Sequence, residues 1–216
     1  LGFEVNDAEY KVMGLAPYGR PVYADLIKKE LFRMQPDGSF KTNMKYFSYD
    51  YGLTMTNGKF EKIFGVPRRI PEDKIEQAHK DLAASVQKVT SECMVRMAQY
   101  LHEESQLENL CLAGGVALNC VANGEILRNT AFKNLFIQPA ASDAGGALGV
   151  ASYIYHTLLG NPRNFVQTDA FLGPSFSQNE IEQYLKSQEA KYQVLTREEL
   201  LKKTAALIEK QHVVGW

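Results

Sequence analysis

Two pairs of neighbouring glycines, each between a predicted strand and a predicted helix, are the residues of this chain best suited to bind a ligand. Gly114 and Gly115 follow an apolar run that ends at Ala113, and Gly145 and Gly146 come about thirty residues later. A glycine has no Cβ atom, so the backbone can approach a flat ligand closely. The start of a helix adds free N–H groups that suit an anion. The first turn is predicted either to contact a nucleotide or only to pack a helix onto a strand.

Polar side chains accompany both glycine turns. Asn119 and Asn123 lie four residues apart, so a helix places them on one face, where both amides could reach one ligand. Alternatively, Asn119 only caps the helix. Asp143 precedes the second turn and could cap its helix or bind Mg²⁺, Mn²⁺ or Fe²⁺ through its carboxylate. Glycines inside a helix reduce its stability, so those of the second turn, with Gly149, are expected to pack closely.

Other kinds of chemistry find no support in the sequence. It contains neither the GxxxxGK[ST] nor the GxGxxG phosphate-binding pattern after a strand, and no GxSxG nucleophile motif. The histidines are dispersed and are interpreted as packing or surface residues: His79, His102, His156 and His212. Three cysteines without a CxxC pair are interpreted as buried, reduced thiols of a cytoplasmic protein: Cys93, Cys111 and Cys120.

The elements that must position these turns are predicted to alternate. A long helix begins at Pro71 and carries an apolar stripe with a spacing of three or four residues: Ile75, Ala78, Leu82, Val86, Val89, Cys93, Met97 and Leu101. A strand at 109–113, a helix at about 119–128, a strand at 134–138 and an apolar helix ending at Leu159 follow. This order, with short turns, predicts an α/β layer with a parallel sheet.

The residues before the long helix contain many turn signals. Residues 1–24, rich in glycine and proline, are predicted to form a fixed loop without secondary structure, either a tight connection or a loop that approaches a ligand. A short helical pattern covers 25–34. Residues 38–63 contain short runs that the dipeptides Asp37-Gly38 and Asn57-Gly58 separate, which predicts a small meander or an irregular insertion. Its many aromatic side chains favour either a satellite core or a surface that binds an acceptor.

A second pattern begins near residue 165, which predicts a domain boundary at 160–168. Strands are predicted near 170–172, 192–195 and 212–216, with helices from Ser177 and over 197–210. Ser177 with Glu180, and Thr196 with Glu199, have the capping-box spacing. The chain starts without methionine and stops within an apolar run, so we expect it to be a fragment of a longer polypeptide.

The overall composition excludes several classes of protein. The 216 residues are 45% hydrophobic and 23% charged, unlike a disordered or collagen-like chain. The net charge of −1 gives no general attraction to nucleic acid or anionic lipid. No apolar run reaches the roughly 18 residues of a membrane span. We therefore expect neither a nucleic-acid nor a membrane partner.

Three longer stretches resemble signatures of the O-carbamoyltransferase family, which carbamoylates nodulation factors and antibiotics in biosynthesis: residues 9–19, 112–119 and 138–149. Residues 171–177 resemble the opening of its C-terminal domain. The resemblance implies that residues 1–164 are the second half of an actin-like ATPase domain of the sugar kinase and Hsp70 type. It also implies that residues 165–216 begin a smaller α/β domain that processes carbamoyl phosphate.

The resemblance also implies an activity. Family members move a carbamoyl group from carbamoyl phosphate, through carbamoyl-adenylate, to a hydroxyl of a small-molecule acceptor, using ATP and a divalent metal, usually Fe²⁺. The implied metal ligand is Asp143, but the family's HxxxH pair is absent, so the metal site is expected to be incomplete. The implied nucleotide-binding residues are Gly114, Gly115, Val116, Asn119, Asn123, Gly145 and Gly146. No catalytic residue is assigned, and the isolated chain is expected to show no turnover.

Two other functions remain consistent with the same residues. A kinase of the same fold would share the adenosine turn but would transfer a phosphoryl group. A non-catalytic domain would use its glycines only for packing. The acceptor could be a sugar, a polyketide or an aminoglycoside hydroxyl, and a homodimer is a further partner to test.

Overall fold

The computed structural model describes residues 1–5 and 7–216. The chain divides into two compact units, Leu1–Asn164 and Phe165–Trp216. The helices are α1 (Tyr10–Leu15), α2 (Ala24–Leu26), α3 (Gly58–Phe64), α4 (Gln77–Ser105), α5 (Cys120–Asn129), α6 (Gly145–Ser152), α7 (Gln178–Ser187) and α8 (Arg197–Glu209). The strands are β1 (Phe32–Met34), β2 (Phe40–Thr42), β3 (Asn109–Leu112) and β4 (Asn134–Ile137). The α/β class expected from the sequence is confirmed. Within the described residues, no helix combines the length and apolar character that crossing a membrane requires.

Helix α4 begins six residues later than predicted. The guanidinium of Arg69 donates hydrogen bonds to the carbonyl oxygens of Ile70, Pro71 and Asp73 at 2.7–3.0 Å. These bonds occupy carbonyls that a helix from Pro71 would need, and they hold the segment in a turn. The helix then starts with a capping box in which the Nδ1 atom of His79 accepts a hydrogen bond from the backbone N–H of Glu76. Burial lowers the pKa of His79, which favours the neutral ring that can accept this bond.

The buried surface of α4 is wider than the predicted stripe. Leu82, Val89 and Cys93 are buried as expected and join the first core cluster. Three other stripe residues are exposed by 39–47%: Val86, Met97 and Leu101. Alanines and polar residues between the stripe positions are buried instead, so the buried surface of α4 does not coincide with the predicted stripe.

Two polar residues of α4 hold the glycine- and proline-rich loop against the helix. The carboxylate of Asp81 accepts the backbone N–H of Arg20 at 2.8 Å, and the Ser85 hydroxyl accepts that of Tyr23 at 3.0 Å. Gly19 comes so close that a Cβ atom there would lie 2.0 Å from the carbonyl oxygen of Lys80. The prediction that residues 1–24 lack secondary structure was wrong, because α1 and a 3₁₀ turn, Ala16–Tyr18, lie there. Proline near the start of that turn suits helical backbone, since its missing N–H is not required there.

The aromatic region contains less of a meander than predicted. After α2, a π-helical turn, Ile27–Leu31, leads into the antiparallel hairpin of β1 and β2, whose turn contains Gly38 at φ +83°. The Asn57-Gly58 pair does not turn a hairpin: the Asn57 side chain caps α3 by accepting the N–H of Lys59. Tyr46 and Phe64 are buried in the first core cluster together with residues of α4, so these aromatic side chains belong to that core and do not form a separate satellite. Other aromatic side chains there are exposed: Phe40, Tyr49 and Tyr51.

Strands β3 and β4 form the predicted parallel pair, with Asn109 opposite Asn134 and Leu112 opposite Ile137. Helix α5 connects them and packs on α4 through a second core cluster: Met94, Ala98, Leu110, Ala122, Ile126 and Phe132. Burial raises the pKa of the Cys93 thiol. Cys111 and Cys120 are free but exposed, so the expectation of three buried thiols was wrong. Cys111 faces away from the second core because alternate strand residues point to opposite sides.

The second unit, Phe165–Trp216, contains α7 and α8. Both predicted capping boxes are confirmed: the hydroxyls of Ser177 and Thr196 accept the backbone N–H groups of Glu180 and Glu199. The three strands predicted near 170–172, 192–195 and 212–216 were wrong, since no strand occurs in this unit, all of whose residues the structure describes. A strand needs a neighbour to bond its backbone groups, and the apolar patterns here find none.

Candidate functional site

The two glycine turns lie side by side at the carboxyl ends of β3 and β4. The backbone N–H of Gly114 donates to the carbonyl of Ala141 at 2.7 Å. A Cβ atom on Gly115 would lie 3.6 Å from the Ser142 hydroxyl. This juxtaposition follows from the parallel pairing, because parallel strands end at the same edge of a sheet, where ligands of α/β proteins bind.

The glycines of the two turns have different physical roles. Gly114 adopts φ +98°, a conformation that a side chain would strain. Gly145 lies against the chain, because a Cβ atom there would be 2.2 Å from the carbonyl oxygen of Ala140. Gly146 and Gly149 have open space around the Cβ position. The expected close packing therefore holds for Gly145 alone.

Asn119 does not start the helix directly after the glycines, because a 3₁₀ turn, Gly115–Leu118, comes first. The Asn119 side chain then caps α5 by accepting the backbone N–H of Ala122 at 3.0 Å, as one of the two alternatives predicted. Its amide also pairs with that of Gln87 on α4, through two hydrogen bonds of 3.1 and 3.0 Å. Part of its hydrogen-bonding capacity is thus already used within the protein.

Asn123 lies one turn further along α5 and is buried beneath the 3₁₀ turn. Its Nδ2 atom donates to the carbonyl oxygen of Ala117 at 2.7 Å. Its Oδ1 atom is buried without a hydrogen-bond partner among the described residues. The Asn123 side chain therefore stabilises the 3₁₀ turn. It is not among the residues that line the cavity beside the first glycine turn.

Asp143 is exposed, and its carboxylate makes no hydrogen bond within the part of the chain that the structure describes. The alternative that it caps α6 does not hold, because the helix begins after Ala144 without a side-chain cap. Nowhere in residues 1–5 and 7–216 do three or more His, Cys, Asp or Glu side chains form a group that could hold a metal ion. A lone carboxylate does not make a metal site, so the residues present do not fit a resident metal.

A cavity of about 630 Å³ lies beside the first glycine turn. Three segments that are distant in sequence line it: the N-terminal stretch, α4 and the turns after β3 and β4. The lining residues are Asp7, Glu9, Tyr10, Val12, Met13, Val86, Gln87, Thr90, Gly115, Val116, Leu118, Asn119 and Ser142. Of the seven residues implied to bind nucleotide, the structure brings Gly115, Val116 and Asn119 to this cavity.

The cavity combines an apolar wall with two acidic side chains. Tyr10, Val86 and Val116 supply apolar surface, each at least 40% exposed. Asp7 and Glu9 are the charged residues among those that line it. Without a basic group, such a lining does not favour phosphate oxygens, whereas it can hold a flat ring and accept hydrogen bonds from hydroxyl groups.

Sequence reasoning missed the contribution of α4 to this site. Val86 was assigned to the core stripe, yet it lies at the cavity. In the structure its side chain is 40% exposed, compared with 3% for Val89. Gln87 and Thr90 have no sequence signal, because a polar residue between stripe positions is typical of any solvent-facing helix surface.

Residues 1–152 match the family model described as carbamoyltransferase N-terminus. An uncharacterized protein of Synechocystis sp. is 52% identical over all of this chain and 36% of its own length. Nodulation protein NolNO of Sinorhizobium fredii is 32% identical over all of the chain and 30% of its own length. Nodulation protein NolO of Bradyrhizobium diazoefficiens is 29% identical over 96% of the chain and 36% of its own length. The chain thus spans about a third of the length of these curated relatives.

Proposed function

The chain belongs to the carbamoyltransferase N-terminus family, and from that membership we propose that its cavity binds the adenosine part of ATP or of carbamoyl-adenylate during carbamoyl transfer. The whole protein would then move the carbamoyl group of carbamoyl phosphate to a hydroxyl of a small-molecule acceptor. ATP is the proposed cofactor. A divalent metal such as Fe²⁺ would need ligands in addition to Asp143.

One observation carries this proposal: parts of all three signature stretches line one cavity. Residues of the first stretch, including Tyr10 and Met13, face the glycine turn of the second, and Ser142 of the third completes the lining. These stretches are more than a hundred residues apart at their extremes. Glycines that served only helix packing would not require the N-terminal stretch to come to the same place.

The lining suits an adenosine group better than a free phosphate. Apart from its chain neighbours, the atom nearest to the Cβ position of Gly115 is the Ser142 hydroxyl oxygen at 3.6 Å, so a flat ring can approach the backbone there. The apolar side chains can cover the faces of the ring, and the acidic side chains can accept hydrogen bonds from ribose hydroxyls. The phosphates would then point away from Asp7 and Glu9, toward protein outside this cavity.

We infer that the first unit is the second half of an actin-like ATPase domain and that the second unit begins the domain that processes carbamoyl phosphate. The parallel β3–α5–β4 arrangement with ligand-facing turns supports the first inference. The isolated chain is expected to release no pyrophosphate from ATP and carbamoyl phosphate, and detectable release would contradict that expectation.

Calorimetric titration with a non-hydrolysable ATP analogue and Mn²⁺ tests the binding site. The polypeptide as its native gene encodes it is compared with Gly115→Val and with Gly149→Ala. The Gly115 backbone is not in the left-handed region, so valine fits the fold but blocks approach of the ring. We expect Gly115→Val to abolish binding with an unchanged circular dichroism spectrum, and Gly149→Ala to bind normally. Equal affinity in both variants, or no binding by the unchanged protein, would refute the proposal.

The reaction itself is tested separately on the same polypeptide. Pyrophosphate release that requires both ATP and carbamoyl phosphate is expected, followed by carbamoyl transfer to an added hydroxyl compound. Transfer of the γ-phosphate of ATP to a sugar would instead identify a kinase of the same fold and would replace the proposal.

A further inference from the structure

Gln87, a residue of α4, forms a reciprocal amide pair with Asn119 across 32 positions of sequence. Gln87 Nε2 donates to Asn119 Oδ1 at 3.1 Å, and Asn119 Nδ2 donates to Gln87 Oε1 at 3.0 Å. Both side chains are partly buried and both line the cavity. The pair therefore connects the long helix directly to the glycine turn of the candidate site.

The hydrogen bonds around this pair leave one donor of Asn119 unused. The Oδ1 atom accepts from both Gln87 and the backbone N–H of Ala122. An amide nitrogen carries two N–H groups, and one of those on Asn119 goes to Gln87. The other has no partner among the residues that the structure describes.

A further hydrogen bond, within α4, also holds the Gln87 side chain in place. Its Nε2 atom also donates to the hydroxyl of Ser91, one turn along α4, at 3.1 Å. Both of its N–H groups are therefore used, and its carbonyl oxygen receives the bond from Asn119. A side chain held at three points cannot readily rotate, so the orientation of the Asn119 amide is fixed as well.

We propose that Gln87 is a positioning residue that aims the free N–H of Asn119 at a hydrogen-bond acceptor of the nucleoside bound in the cavity. This inference rests on the proposed function. Gln87 need not touch the ligand, because its effect passes through Asn119. Either a purine ring nitrogen or a ribose oxygen has the acceptor chemistry that this N–H would recognise.

The test compares four variants of the polypeptide as its native gene encodes it. Gln87→Met keeps the length of the side chain but removes its hydrogen bonds. Asn119→Ser removes the amide but keeps a hydroxyl that can cap α5. The double variant combines them. Gln99→Met is the matched control, because Gln99 lies on the same helix and makes one hydrogen bond, to the carbonyl of Asn129 at 3.0 Å.

Two readouts separate positioning from folding. Titration of the ATP analogue with Mn²⁺ should give a Kd about tenfold higher for Gln87→Met, as expected for loss of one oriented hydrogen bond. Gln99→Met should stay within about twofold. In the Asn119→Ser background, adding Gln87→Met should change the Kd no further, since Gln87 acts through Asn119. Hydrogen exchange of residues 115–122 should quicken in Gln87→Met while the thermal midpoint changes little.

Each outcome has a definite meaning. Unchanged affinity in Gln87→Met, when the unchanged protein binds the analogue, overturns this inference and leaves the proposed function standing. A full additional loss in the double variant also overturns it, because Gln87 would then act independently of Asn119. No binding by the unchanged protein overturns the proposed function and this inference together. Faster exchange without an affinity change assigns Gln87 a purely structural role.

Discussion

Helices α4 and α6 both carry many apolar residues, yet their surroundings differ completely. Helix α4 contributes ten buried residues. Helix α6 and the π-helical turn that extends it, Tyr153–Leu158, contribute none. The apolar side chains of that extension are exposed by 43–63%: Tyr153, Ile154, Tyr155 and Leu158. An apolar pattern therefore indicates which residues a helix can bury, but the packing of neighbouring elements determines whether they are buried.

The largest expected difference between the two regions concerns core side chains. Ile126, on the helix that packs against α4, is 1% exposed, whereas Leu158 is 63% exposed. Ile126→Ala should reduce the free energy of unfolding by about 2–5 kcal/mol, because it leaves a cavity. Leu158→Ala should change it by less than about 0.5 kcal/mol. Urea unfolding followed by circular dichroism measures both changes. Similar losses would show that Leu158 is as well packed in solution as Ile126.

Two glycines give the next largest contrast. Gly19→Ala should destabilise the protein by about 1–3 kcal/mol, because the new Cβ atom would meet the backbone of α4. Gly149 lies within α6 with open space around it, so Gly149→Ala should raise helix stability by up to about 1 kcal/mol. Thermal unfolding of the two variants gives both signs. A destabilising Gly149→Ala would mean that α6 is covered in solution.

Two acidic side chains, Asp81 on α4 and Glu199 on α8, allow the pH dependence of stability to be compared. Hydrogen bonds from the Arg20 backbone N–H and the Gln77 amide lower the pKa of Asp81. Its contribution to stability is therefore complete above its unfolded pKa of about 3.9 and is lost as pH falls through the lower folded pKa. Asp81→Asn should flatten the acid limb of the unfolding curve. Hydrogen bonds from Thr196 lower the pKa of Glu199, but Glu199→Gln should leave unfolding of the first unit unchanged.

The smallest effect is expected at a helix cap in the second unit. Thr196→Ala removes the side-chain oxygen that accepts the N–H of Glu199, which costs about 1 kcal/mol of local helix stability. Hydrogen exchange should quicken at the first turn of α8 and stay unchanged in α4. Faster exchange in α4 would show that the two units unfold together.

Local patterns were the part of this fold that the sequence could predict. The strand–turn–helix order around β3, α5 and β4, the parallel pairing of the two strands and both capping boxes of the second unit were all confirmed. Each depends on residues close in sequence or on the geometry of a parallel pair. These are the interactions that periodicity and capping rules describe.

Long-range contacts account for the failures. The late start of α4 depends on Arg69, whose side chain is held by the carbonyl oxygen of Leu1, 68 positions away, while it binds the carbonyls before the helix. The exposure of Val86 depends on a cavity completed by the N-terminal stretch. The pairing of Gln87 with Asn119 joins two elements that no local rule connects. The three strands predicted in the second unit failed because their pattern was present but no neighbouring strand was.

The distances in sequence that separate the walls of the cavity also set an order of folding. Strand β3, helix α5 and strand β4 close a short crossover, whereas Arg20 and Tyr23 must find partners 61 and 62 positions away. Closing the longer loop costs more chain entropy, so the crossover should form first and the N-terminal stretch should dock last. Pulse-labelled hydrogen exchange during refolding should therefore protect Leu110 before Arg20. The cavity beside the glycine turn would then form only at the final step of folding.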